Sequence, residues 1–184
     1  MKYLFSGCYS IESKPDISIW NINKITKIIG LLEGFSSLKS KADISNWKTK
    51  NVTNICRLFC GCSSLKSLQD ISKWNINKVT NISFLFYGYF SLESIPDISN
   101  WNIKNITNIS FLFYGCSSLK SIPDISKWKI NNIFFMIDKI IWGELAVLIQ
   151  IWSVIQKLGR IRVNDISRLF CGCSSLKSLP DILK

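Results

Sequence analysis

The chain has 184 residues, a formal net charge of +11 and 47% hydrophobic residues, with seven cysteines and no histidine. This apolar content excludes an intrinsically disordered chain, and the length suffices for one domain or a short repeat array. The lack of histidine removes the commonest general base and the commonest metal ligand. This disfavours most hydrolase-type sites. Because the sequence also assembles no nucleophile, base and oxyanion donor in one place, we predict no enzyme, no catalytic residue, no cofactor and no metal.

The positive charge is spread along the chain rather than clustered. Lysines recur singly, and the longest basic cluster is Arg160 and Arg162 with Lys157 nearby. A nucleic-acid-binding protein usually concentrates its basic residues on one face, so nucleic acid is disfavoured as a partner. Small-molecule ligands are disfavoured as well, because identical groups spread evenly along a repeat do not converge on one site.

A 27-residue period dominates the sequence. Glycine, tryptophan and aspartate each recur at this spacing, and the glycines are Gly7, Gly34, Gly61, Gly88 and Gly115. The next matching glycine, Gly172, lies three positions beyond two further periods. A fixed period of this size is typical of a solenoid. We predict regular units over residues 1–132, a degenerate apolar helical repeat or insertion over 133–163, and a final partial repeat over 164–184.

Each unit is predicted to hold a short helix and a short extended segment. In residues 79–105, Thr80 suits a helix N-cap and Gly88 suits a helix end, which predicts about two helical turns. Leu92 to Ile98 then form an extended segment that we expect to pair in parallel with its copies. Trp101 and its copies are expected to stack in the core rather than bind a ligand. The predicted class is an α/β repeat.

These units resemble a known family. The pattern IS-x-W-N followed by N-x-T-N-I-S-x-L-F-x-G-C-S-S-L is similar to the BspA-like leucine-rich-repeat surface proteins, in the tryptophan-bearing variant also found in mycoplasma lipoproteins. The resemblance covers residues 1–129 and 164–184. It implies a leucine-rich-repeat-like solenoid, used without enzymatic activity for adhesion or protein contact at a cell surface. No signal peptide is visible, so the compartment stays open.

The cysteines are predicted to be unpaired thiols. Cys8, Cys62, Cys116 and Cys173 follow repeat glycines, whereas intervening units carry Phe35 and Tyr89. Copies two units apart would lie about 10 Å apart, too far for a disulfide. The two Cys-Gly-Cys motifs would lie roughly 20 Å apart, too far for one zinc ion. This pattern favours thiols in a reducing compartment.

The aspartate column is the candidate partner-binding site. Stacked carboxylates would repel one another unless they face solvent, accept backbone hydrogen bonds or bind cations, and backbone capping is the favoured interpretation. The alternative is a striped polar face that binds a protein partner. Its members would be Asp43, Asp70, Asp97, Asp124, Lys66 and Lys120.

The apolar run 145–156 raises a membrane alternative. Its 12 residues fall short of the roughly 20 that cross a bilayer, which disfavours a membrane partner. The favoured function is therefore a protein–protein interaction or adhesion module. A structural or vestigial fragment of a longer array, without its own ligand, stays open because both chain ends fall inside a unit.

Overall fold

The computed structural model describes residues 1–8, 16–34, 43–64, 66–123, 125, 128 and 171–175. Regular elements within these residues are few. They are one 3₁₀ helix, Thr49–Asn51, and five single-residue parallel β-bridges. The bridges join Lys2 to Ile29, Lys27 to Asn54, Asn54 to Asn81, Asn81 to Asn108, and Ser67 to Ser94.

All five bridges join residues that are one repeat period apart. Successive units therefore lie beside one another in parallel and in register. One row runs through Asn54, Asn81 and Asn108, and a second joins Ser67 to Ser94. The second row falls on the predicted extended segment and consists of a single bridge. This short pairing agrees with the prolines of that segment, which have no N–H to donate to a neighbouring strand. The solenoid class of the whole chain stays a prediction.

The segment predicted to be a helix consists of turns. The N–H groups of Ile82, Phe84, Phe86 and Gly88 donate to carbonyls of the next unit along the chain, at 2.8–3.0 Å. An α-helix would instead use these donors four residues back in its own unit. Phe84 also has a φ of 57°, a left-handed conformation that ends a right-handed helix. The two turns of helix predicted between Thr80 and Gly88 are thus replaced by backbone bonds to the neighbouring unit.

Aromatic and aliphatic side chains fill the space inside the units. Phe59, Phe86 and Phe113 stack as a column, with ring centroids 5.9 Å and 5.5 Å apart. Ile82 and Leu85 beside them have 0% exposed surface. Each unit therefore buries its apolar residues partly against its own turn and partly against the same residues of the next unit.

The tryptophans form a second buried column. Trp47, Trp74, Trp101 and Trp128 are each 4% exposed. The rings of Trp47 and Trp74 lie 6.0 Å apart and 10° from parallel. Each Nε1–H donates to the isoleucine carbonyl 30 residues earlier, at 3.0–3.2 Å. The prediction that these residues belong to the core is confirmed.

The last described residues lie directly against the unit that contains Gly115. The Gly115 N–H donates to the Cys171 carbonyl at 2.7 Å, and the Ser175 N–H donates to the Ser117 carbonyl at 3.1 Å. Residues separated by more than two repeat periods in sequence are therefore neighbours, as they would be if an insertion separated two adjacent units. Residues 133–163 lie outside the described part, so their boundaries stay predictions.

No helix within the described residues is long and apolar enough to cross a membrane. The predicted membrane-associated run, 145–156, lies outside those residues.

We expect Trp74→Phe to lower the free energy of unfolding by about 1–3 kcal/mol, because it removes a buried hydrogen bond and leaves unfilled volume. Urea unfolding followed by circular dichroism measures this. The control is Trp20→Phe, at a half-buried tryptophan of the first unit, which should cost less. Equal losses in both variants would show that the tryptophan column is not the source of stability.

Candidate functional site

The aspartates of the predicted partner site cap their own units. Oδ1 of Asp43, Asp70 and Asp97 accepts the N–H of the serine two residues later at 2.8–3.1 Å. Hydrogen bonds from Ser72 hold the pKa of Asp70 below its ordinary value. Capping, the favoured interpretation, is confirmed for these three, while Asp124 lies outside the described residues. The three carboxylates are exposed and each accepts its hydrogen bond within its own unit, and their role in partner binding stays a prediction.

The two lysines of that site meet at a glutamate instead. Glu93 lies between them, with Oε2 2.7 Å from Lys120 Nζ and Oε1 3.8 Å from Lys66 Nζ. The hydrogen bond from Lys120 lowers the pKa of Glu93. Glu93 was not predicted from the sequence as part of this site, although it occupies the same repeat position as both lysines.

A different surface carries four stacked aromatic rings, which we name the aromatic face. Its members are Phe84, Tyr87, Phe111 and Tyr114, all half-buried. Phe84 stacks on Phe111 at 4.6 Å, and Tyr87 stacks on Tyr114 at 4.9 Å, both within 8° of parallel. Within each unit the phenylalanine and tyrosine rings are tilted and lie 5.5–5.7 Å apart. The four rings therefore form one continuous, partly exposed grid.

An arginine covers one end of the aromatic face. The guanidinium of Arg57 lies 4.4 Å from the ring centroid of Phe84, which is cation–π geometry. The same guanidinium pairs with Glu33 Oε1 at 3.1 Å, with side-chain exposures of 38% and 21%. This partly exposed cation is thus fixed in place beside the rings by two contacts.

The aromatic face depends on an unusual backbone position. Residues at this place have left-handed φ angles of 51–58° in every described unit before residue 171. They are Tyr3, Gly30, Arg57, Phe84 and Phe111. Glycine adopts this conformation without penalty, whereas other L residues lose about 1–2 kcal/mol. Four of the five units nevertheless carry a large side chain there.

The cysteines include one neighbouring pair. All seven cysteines lie within the described residues, and none is in a disulfide. Burial raises the pKa of Cys60 to about 12, so this thiol stays protonated at neutral pH. Cys116 and Cys173 lie in directly neighbouring units, and their Sγ–H groups donate to the carbonyls of Phe86 and Phe113, at 3.1 Å and 2.9 Å. The prediction that alternation separates the cysteines by two units is therefore wrong for this pair, because residues 171–175 pair directly with the unit that contains Cys116, although more than two repeat periods separate them in sequence.

In the part of the chain that the structure describes, no three Cys, Asp or Glu side chains come together as a group that could hold a metal ion.

A family model described as Mycoplasma protein of unknown function, DUF285, matches residues 1–95 and again residues 31–151. The two matches together span residues 1–151 of 184. The chain belongs to the DUF285 family. No curated protein and no solved structure matches this DUF285 chain.

The aromatic face was not predicted from the sequence, although a signal for it was present. The run SFLFYG occurs at 83–88 and again at 110–115, so both aromatic positions repeat with the 27-residue period. A helical interpretation placed Ile82, Leu85 and Phe86 on one face and left Phe84 unexplained. The left-handed backbone at Phe84 could not be inferred, because bulky residues rarely adopt it.

We expect Lys120→Met to raise the pKa of Glu93 toward its ordinary value of 4.5, since the closer lysine is lost. An NMR pH titration of the Glu93 side chain measures this. Because the pKa is lowered in the folded state, the stabilisation is present above pH 4.5 and is lost as the pH falls through the lowered pKa.

The matched control is Lys66→Met, whose ammonium lies 3.8 Å from the carboxylate and should shift the pKa less. A larger shift in the Lys66 variant would contradict the geometry.

Proposed function

We propose that this DUF285 protein is a non-enzymatic module of the BspA-like leucine-rich-repeat type that binds another protein. In this proposal the 27-residue units stack as a solenoid. The in-register parallel bridges and the unit-to-unit backbone hydrogen bonds support that architecture. Adhesion at a cell surface is the setting that the family resemblance favours.

The observation that carries the proposal is the left-handed aromatic column. Large residues at positive φ are rare, and such backbone strain concentrates at functional sites. Phe84 and Phe111 hold this conformation while each ring stays partly accessible. Glycine, which Gly30 supplies at the same place, would relieve the strain. A unit that only needed to fold would be better served by glycine there.

The chemistry of the face suits a protein partner. Aromatic residues and arginine are enriched at the centres of protein interfaces, where they supply most of the binding energy. The aromatic face combines two phenylalanines and two tyrosines, and Arg57 adjoins it on the same surface. With a net charge of +11, the chain would favour a partner whose apolar patch is bordered by carboxylates.

Two other interpretations have less support. In the aspartate stripe, the carboxylates of Asp70 and Asp97 are already used as caps. A vestigial array without a ligand leaves the strained aromatic column without a role.

The test compares wild type with Phe84→Gly/Phe111→Gly. This variant removes the rings but relieves backbone strain, so the two effects on stability should offset to within about 1 kcal/mol. We expect capture of the partner to weaken by about thirtyfold or more, because each aromatic hot spot contributes about 2 kcal/mol. The full chain is immobilised, and proteins that bind it saturably are identified by mass spectrometry. The purified partner is then titrated by calorimetry.

Two control variants accompany this test. Phe90→Ser alters a phenylalanine that is 56% exposed but lies outside the grid, and Asp70→Asn alters the aspartate column. Both should bind like wild type. Binding that survives the double glycine variant but is lost in Asp70→Asn would show that the partner binds the aspartate column rather than the aromatic face. The absence of any saturable partner would favour the vestigial fragment.

A further inference from the structure

The last described unit brings two thiols together. The Gly172 backbone approaches Gly115 so closely that a Cβ on Gly172 would lie 3.1 Å from the Gly115 Cα, against 3.5–3.9 Å for the equivalent contacts of Gly61, Gly88 and Gly115. Cys116 and Cys173 are the residues that follow these two glycines. Paired backbones lie about 4.8 Å apart, within the Cα separation of 4.4–6.8 Å that a disulfide accepts.

Among the described residues that follow a repeat glycine, Cys116 and Cys173 are the two cysteines that occupy directly neighbouring units. Tyr89 occupies the unit between Cys62 and Cys116, so those two thiols are one unit further apart. Cys173 Sγ lies 2.9 Å from the Phe113 carbonyl, which belongs to the unit that contains Cys116. The sulfur of Cys173 is therefore directed toward the unit of its partner.

From this juxtaposition we propose that Cys116 and Cys173 are a site of reversible thiol oxidation, converted to an intramolecular disulfide by a low-molecular-weight disulfide such as oxidised glutathione. The site is independent of the proposed partner binding. It would covalently join the unit at 111–118 to the unit at 171–175.

The two thiols have unequal environments. Cys173 is half-buried, whereas Cys116 has 0% exposed surface. The neighbouring Cys116 thiol lowers the pKa of Cys173, whereas the neighbouring Cys173 thiol, together with burial, raises the pKa of Cys116. Cys173 is thus the more accessible thiol and the one that ionises first, which makes it the attacking group.

The reaction balances in two exchanges. The Cys173 thiolate attacks one sulfur of the oxidant, breaks its S–S bond and releases one thiolate, which takes up a proton. Cys116 then loses its proton and attacks the Cys173 sulfur of the mixed disulfide, forming the new S–S bond and releasing the second thiolate. The two cysteines lose two electrons and two protons, and one oxidant disulfide becomes two thiols.

The experiment incubates the full chain with oxidised glutathione and measures thiol number, intact mass and tryptic peptides. We expect two of the seven thiols to be lost, with an intact mass lower by two hydrogen atoms. Trypsin isolates Cys116 on peptide 105–120 but leaves Cys171 and Cys173 together on 169–177. The Cys171→Ser variant therefore assigns the bond, and reduction with dithiothreitol should reverse it.

Two variants sharpen the result. Cys173→Ser should abolish the cross-link, whereas the control Cys62→Ser should retain it. The Cys171→Ser peptide map keeps Cys173 intact, so it decides the question even if Cys173→Ser does not fold. A glutathione adduct on exposed Cys171 without a link between Cys116 and Cys173, or a link that forms only in denaturant, would overturn the proposal.

Discussion

The structure depends on the backbone hydrogen bonds that join neighbouring units. From Ile82 to Gly88, alternate N–H groups donate to carbonyls of the next unit, and Thr53, Thr80 and Thr107 each donate to the matching threonine of the preceding unit. A buried backbone donor without a partner is costly, so each unit needs its neighbour in one register. That register places every side chain beside its copy in the next unit.

The consequences of this stacking differ with chemistry. Aromatic and indole rings gain contact from their copies, so the Phe86 and Trp74 columns stabilise the core. Carboxylates would repel their copies, and Asp70 is instead satisfied by Ser72 in its own unit. At Glu93 the column alternates in sign, which converts repulsion into two ion pairs.

Periodicity made the column-level predictions possible. It identified the buried tryptophans and the capping role of the aspartates, because both follow from placing identical groups side by side. Periodicity did not predict the local backbone where the same residues fit either a helix or turns bonded to the next unit. Thr80 and Gly88 bracket a helix-like run, but the left-handed backbone at Phe84 directs its donors outward to the next unit. The position of Cys173 also could not be predicted, since adjacency to Cys116 depends on which units are neighbours rather than on sequence distance.

The columns that change from unit to unit are where a repeating chain can recognise a partner. A column of near-identical buried residues fixes the stack but presents nothing distinctive to solvent. The left-handed column instead runs from Tyr3 and Gly30 through Arg57 to two phenylalanines, and the tyrosines of the aromatic face stand beside the last two. Because glycine would relieve the strain there, the retention of large side chains needs a compensating interaction. Ring stacking supplies about 0.5–1.5 kcal/mol for each pair, which offsets much of the strain at Phe84 and Phe111.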